Sequence, residues 1–252
     1  MCGRYTLVVD QEELEERFEA TFAEPFSPRY NLAPSQRLPV ITDERPGTIR
    51  RIEWGLDPAW ADDADGLINA RAETIDRKPS FRDAYRRRRG GRSREDTGGP
   101  DGGPWAGRCL VLADGFYEWV ETEHGKQPYR VAFADDRPFA MAGLWERRVP
   151  ETTQTGLDAF GGGADVGGPA DVRETFTVVT TEPNDAVADL HHRMAVVLEP
   201  DGERRWLTDD DPRELLAPID GAEMRAYPVS TAVNDPAVDE PSLIEPVDGG
   251  VS

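Results

Sequence analysis

Behind the initiator Met1 stands Cys2, in the opening Met1-Cys2-Gly3-Arg4-Tyr5. Aminopeptidases commonly trim methionine before a small side chain, so the mature chain is expected to begin with cysteine. Its α-amino group titrates near ~7.7–8.0 and its thiol near ~8.5, so both are partly deprotonated around neutral pH. Together they form a 1,2-aminothiol, which condenses with an aldehyde: the amine makes an imine and the thiolate closes a thiazolidine ring. Position alone also allows a small, buried apolar cysteine. Further along, Asn69-Ala70-Arg71-Ala72-Glu73-Thr74 spaces amide, guanidinium and carboxylate heads with alanine. Such spacing lets a backbone approach a ligand closely, although a solvated strand end would read the same. Asp114-Gly115-Phe116-Tyr117-Glu118-Trp119 sets Glu118 between aromatics. Desolvation there would raise its pKa and make it a general acid, the plain alternative being an ionised surface glutamate. His191-His192-Arg193-Met194 places two of the three histidines together at an element boundary, a pattern suited to acid–base work. Zinc would need three or four ligands, and neither CxxC nor HExxH spacing occurs, so no metal and no other cofactor is expected.

Aromatic and basic residues suggest what these groups might face. Trp54, Trp60 and Trp119 could stack on unpaired bases or fill a core. The run Arg86 to Arg89, with Arg82, Arg92 and Arg94 nearby, is an island of positive charge that could hold phosphates or simply be solvated.

The elements that position these groups read as an α+β domain dominated by sheet. Asp10 followed by Glu13, then Leu14, Phe18 and Phe22 every fourth position, predicts an amphipathic helix. Asp211-Pro212-Arg213-Glu214 before Leu215 and Leu216 predicts another, and a short helix is expected from Asn184. Strands are predicted at 49–54, 108–112, 129–133, 139–145, 175–180 and 194–198. Segments 90–107 and 152–169, rich in Gly and polar residues, read as flexible inserts, and the acidic tail 234–252 as loosely ordered.

Composition bounds the setting. A chain of 252 residues suits one large domain. Two cysteines are too few for a disulfide framework, no secretory leader follows Met1, and no apolar run approaches the ~20 residues that span a bilayer. The cytoplasm is the expected location. Acidic residues number 49 against 29 basic ones, a net charge of −20, and the only lysines are Lys78 and Lys126. Such acidity ordinarily argues against nucleic acid, yet it also fits halophilic adaptation, because molar salt shortens the Debye length to ~3 Å and screens self-repulsion.

In combination the motifs resemble the SOS response-associated peptidase (SRAP) family of abasic-site processing proteins. The resemblance runs through Met1 to Tyr5, Tyr30-Asn31-Leu32-Ala33-Pro34, Trp54-Gly55-Leu56, Asn69 to Thr74, Pro79-Ser80-Phe81-Arg82, Arg108-Cys109-Leu110-Val111, Asp114 to Trp119 and His191 to Met194, over roughly 2–230. It implies a single α+β domain on a bifurcated, barrel-like mixed sheet flanked by helices. It also implies that Cys2, once exposed, joins covalently to the ring-opened aldehyde of an abasic site in single-stranded DNA. By the same resemblance Asn69 orients the Cys2 amine, Glu118 is the acid–base group, and His191 helps to open the deoxyribose and to reverse the crosslink. Arg4, Arg71 and Arg193 would grip flanking phosphates, while Pro34, Trp54 and Trp119 would shape the pocket and the bend of the strand. The implied partners are such DNA and, around it, the replication machinery at the nucleoid, with no membrane; a monomer is the default. His192 stands where an acidic residue or Asn usually follows the histidine, and Ala195 where proline is usual. Two other classes compete: a cysteine peptidase or N-terminal nucleophile hydrolase, at minimum removing its own Met1, with possible companion lyase chemistry; and a non-catalytic binding module.

Overall fold

The computed structural model describes residues 3–58, 66–86, 106–123, 125–148 and 172–248. Cys2, Trp60, Arg87 to Arg89, the segment 152–169 and most of 90–107 lie outside the described residues. The exceptions in 90–107, Ala106 and Gly107, are buried strand and not loop.

In chain order the elements are β1 (Tyr5–Leu7), α1 (Gln11–Phe18), β2 (Thr21–Phe22), β3 (Arg29–Leu32), β4 (Arg37–Thr42), β5 (Arg45–Trp54), β6 (Asn69–Arg71), α2 (Pro79–Arg86) and β7 (Ala106–Ala113). They continue with β8 (Gly115–Thr122), β9 (Gly125–Phe133), β10 (Phe139–Arg148), β11 (Arg173–Thr181), β12 (Met194–Ala195), β13 (Val197–Leu198), α3 (Pro200–Thr208) and β14 (Met224–Pro228). Helix α1 starts where Asp10 accepts a hydrogen bond from the Glu13 amide at 3.1 Å, and it stops at Glu19, whose φ of 50° is left-handed. Leu14 and Phe18 are its buried stripe, whereas Phe22 has already passed into β2.

Strands β11, β10, β7, β4 and β5 follow one another by antiparallel pairing, and β5 returns to β11 through the parallel pairs Glu53↔Thr175 and Trp54↔Phe176. The ring is therefore closed, and its centre is core. Every residue of β7 is buried, because the barrel interior takes one face while α2 and α3 cover the other. That is why Cys109 to Leu112 is a continuous apolar run and not an alternating one. A second sheet, in the order β14-β9-β8-β1-β3, branches off where β7 leads into β8.

Asp114 is the residue at that branch. It is fully buried, accepts from Thr6 Oγ1 at 2.6 Å, the Val9 amide at 3.1 Å and the Val8 amide, and pairs with buried Arg130 at 3.1 Å. Gly115 must be glycine, since a Cβ there would stand 2.7 Å from Arg130 Nε.

Three sequence expectations need correction. The helix from Asp211 is a 3₁₀ turn, Arg213–Leu216, ending at Ala217, because the residue before Pro218 is pushed out of the helical region. The segment from Asn184 makes hydrogen-bonded turns, not a helix. The described part of the tail, 234–248, is folded: Leu243 is fully buried against Tyr117, Val229 and Val233, in a second small core. Asn31 Nδ2 donates to the carbonyls of Val233, Asp235 and Val238, and Asp239 accepts from the Tyr30 and Asn31 amides. Low local hydropathy hid this, since one leucine and a few backbone bonds to a distant strand suffice to hold the segment. Among the described residues no helix is long and apolar enough to cross a membrane.

Candidate functional site

Strand β1 places the start of the chain. It pairs with β8 at Tyr5↔Phe116 and Thr6↔Gly115, and the Tyr117 amide donates to the Arg4 carbonyl at 2.9 Å. Just beyond these paired residues lie Gly3 in one strand's lead-in and Glu118 in the other strand. Both residues line a cavity of about 420 Å³ together with Arg4, Trp119, Lys126, His191 and Asn234.

Glu118 is only 1% exposed, and burial pushes its pKa from 4.5 up to about 7. Its carboxyl is thus poised to give or take a proton at neutral pH. His191 is half-buried, and desolvation lowers its pKa, which keeps the imidazole neutral. Its Nδ1 lies 3.0 Å from both the amide nitrogen and the carbonyl oxygen of Arg193, so either tautomer finds a backbone partner. The His192 ring is 4.3 Å away.

Three arginines near the cleft differ in how they are held. Arg4 Nη1 donates to two neutral oxygens, Asn31 Oδ1 at 2.8 Å and the Val233 carbonyl at 2.7 Å, which aim the guanidinium. Arg71 ends β6, opposite Thr180 of β11, and is exposed, with no side-chain hydrogen bond or ion pair among the described residues. Arg193 is buried and forked by Glu73: Nη1 meets Oε1, and Nη2 meets Oε2 at 3.0 Å, while Nη2 also reaches the Thr180 carbonyl. Arg193 in turn holds the Glu73 carboxyl below its ordinary range.

Trp119 is half-buried over Tyr117, and its Nε1 donates to Asn234 Oδ1 at 2.7 Å. Trp54 differs from a base-stacking platform: it is 0% exposed, stacked on Phe176 and tilted against Tyr5, with Nε1 bonded to the Ile68 carbonyl at 2.9 Å. The last residue of β5 is thus core, packed where the ring closes. Asn69 opens β6, opposite Val178 and half-buried, and Pro34 precedes Ser35, whose φ is 67°. Neither forms a wall of the cavity, and the same holds for Arg71 and for Arg193, the latter adjoining it through its backbone contacts with His191.

The cavity thus unites Arg4, Glu118, Trp119 and His191 among the expected residues. It adds Lys126 and Asn234, which sequence reasoning missed. Lys126 pairs with Glu121 at 3.5 Å and was marked only by the scarcity of lysine. Asn234 was hidden in a segment taken for a tail. Among the described residues no group of three or more His, Cys, Asp or Glu could hold a metal ion.

Relatives resemble the chain nearly end to end. Abasic site processing protein YoqW of Bacillus subtilis is 36% identical over 259 residues, covering 97% of this chain and 99% of that protein. Abasic site processing protein YedK of Escherichia coli is 28% identical, with 98% of this chain and 100% of that protein covered. Abasic site processing protein HMCES of Gallus gallus is 29% identical over 90% of this chain and 68% of its own length. A crystal structure of a Bacteroides thetaiotaomicron protein superposes with a TM-score of 0.74 at 23% identity, covering 98% of this chain and 100% of that one, which shows the shared fold. The family profile described as SOS response associated peptidase (SRAP) matches residues 1–90 and 105–236, so the chain belongs to the SRAP family.

Proposed function

We propose that this protein processes abasic sites in single-stranded DNA by forming a covalent thiazolidine between Cys2 and the sugar aldehyde. The observation that carries this reading is the shared cavity of Gly3, Glu118 and His191. Cys2 is the covalent neighbour of Gly3 in the sequence. The names of the relatives, abasic site processing proteins, supply the substrate class.

The chemistry follows from the groups present. After Met1 removal the Cys2 amine adds to the aldehyde carbon, giving a carbinolamine. Protonated Glu118 gives its proton to the departing hydroxyl, water leaves, and an imine remains. The thiol then adds to the carbon of this imine, which still carries the amine's remaining proton, while the thiol proton passes to ionised Glu118; the ring closes with a neutral nitrogen and one water released overall. A pKa of about 7 suits a group that must act in both directions. Neutral His191 takes the proton of the sugar hemiacetal hydroxyl, the C1′–O4′ bond breaks as the aldehyde forms, and the imidazolium returns the proton to O4′; Asn69 orients the amine. Arg4, Arg71 and Arg193 face flanking phosphates, Trp119 stacks on an unpaired base, and Pro34 shapes the path of the strand, with Trp54 acting from the core. Cleavage of the Met1–Cys2 bond by the same thiol and carboxyl is the minimal form of the peptidase in the family's description, and it would precede capture.

Incubation with a uracil-glycosylase-treated oligonucleotide is expected to give a heat-resistant band shift that Cys2→Ala abolishes. A band of full yield from Cys2→Ala would overturn the reading. Turnover of unrelated peptides, lost in the same variant, would instead establish a general peptidase.

A further inference from the structure

The three arginines are not equivalent, and the difference lies in Glu73. Its carboxylate takes both terminal nitrogens of Arg193 in a fork, the geometry a phosphate would use. Glu73 itself belongs to the 3₁₀ turn Ala72–Thr74, at the surface, with its side chain 48% exposed against 10% for that of Arg193. The cation is anchored from behind by Thr180, through its carbonyl and through Oγ1 at 3.3 Å, so the partner able to move is Glu73. Arg193 Nε, also buried, has no acceptor among the described residues, so the resting pair does not satisfy the guanidinium fully. Exposed, and with no side-chain hydrogen bond or ion pair among the described residues, Arg71 stands two residues before Glu73, where it would be a second ligand for a phosphate.

We propose that Glu73 is a specificity-determining residue: in the DNA-free protein it occupies the face of Arg193 that a backbone phosphate would take, and so weakens binding to undamaged single strands. A phosphate must displace a like-charged group to reach Arg193. Intact strands dissociate before this exchange is consolidated, whereas a strand captured at its aldehyde remains. This inference rests on the proposed DNA reading of the cleft.

The test measures binding of an undamaged, fluorescein-labelled single-stranded oligonucleotide by anisotropy across a salt series, with wild type, Glu73→Gln, Arg193→Met and the double variant. Thermal unfolding verifies that each is folded, and Glu73→Asp, whose shorter side chain loosens the fork, serves as the second probe. Glu73→Gln is expected to bind roughly three- to fivefold more tightly. Its salt slope should steepen by about 0.7, one additional phosphate contact on a single strand. Arg193→Met should erase both gains. In competition, undamaged oligonucleotide should suppress abasic-site capture more strongly in Glu73→Gln than in wild type. A residue that merely supports the fold would shift affinity the other way. If Glu73→Gln binds no tighter while Arg193→Met weakens binding, the role of Glu73 is overturned and the DNA reading stands. If the double variant keeps the tighter binding of Glu73→Gln, the gain does not come from Arg193, and this inference fails.

Discussion

Replacing Glu118 by Gln removes a buried ionisable group while keeping its shape, and the structure dictates the sign of the result. In the folded protein the carboxyl titrates near about 7, and in the unfolded chain near its ordinary 4.5. A raised native pKa means that the native state binds the extra proton between those values. Its stabilising contribution is complete below about 4.5 and is lost as pH rises through about 7. At 1.36 kcal/mol per pH unit the interval corresponds to about 3 kcal/mol. Glutamine does not titrate, so Glu118→Gln should gain on the wild type as pH rises. Urea unfolding at about pH 5 and about pH 8.5 should find the difference between the two proteins widened by roughly 2–3 kcal/mol in favour of the variant. The same variant should lose abasic-site capture, a case of a functional group held at a cost to stability. Parallel stability curves across this range would refute the argument, since they would mean that Glu118 ionises as freely in the fold as in water.

Two more outcomes follow from the same geometry. Asp114→Asn should lower stability by roughly 1.5–3 kcal/mol, read from the denaturation midpoint, because it removes the buried carboxylate partner of Arg130, leaving it the more exposed Asp136 at 3.4 Å, and weakens the tie between the two sheets and β1. Cys109 is fully buried and its thiol is pushed well up by burial, so a thiol reagent should add one label to the native protein, at Cys2, and a second only after unfolding; intact-mass analysis of the peptides decides.

How far the sequence could be read depended on how local each feature is. The run Arg108 to Leu112 marked a strand, and Asp10 with Glu13 marked the start of α1, because residue preference and capping are decided within a few residues. Glu118 stood out by its aromatic neighbours, and the structure buries it. Trp54 read as a candidate platform because residue type does not reveal which side of a strand faces the barrel, and closure through Phe176 places it inside. Asn234 and the tail were misread because their partners, Trp119, Arg4 and Asn31, lie more than a hundred residues away in the chain.

The sequence by itself determined which chemistry is available: an amine and a thiol on one residue, a carboxyl among aromatics, a histidine at a strand entrance. Tertiary structure alone decided that Gly3 and Glu118 line one cavity, that Arg4 is aimed by Asn31 and the Val233 carbonyl while Arg193 is covered by Glu73, and that Trp54 is core. The physical reason is that intrinsic reactivity belongs to covalent structure. Protonation state and free charge are set by desolvation and by neighbours that only the folded chain brings together.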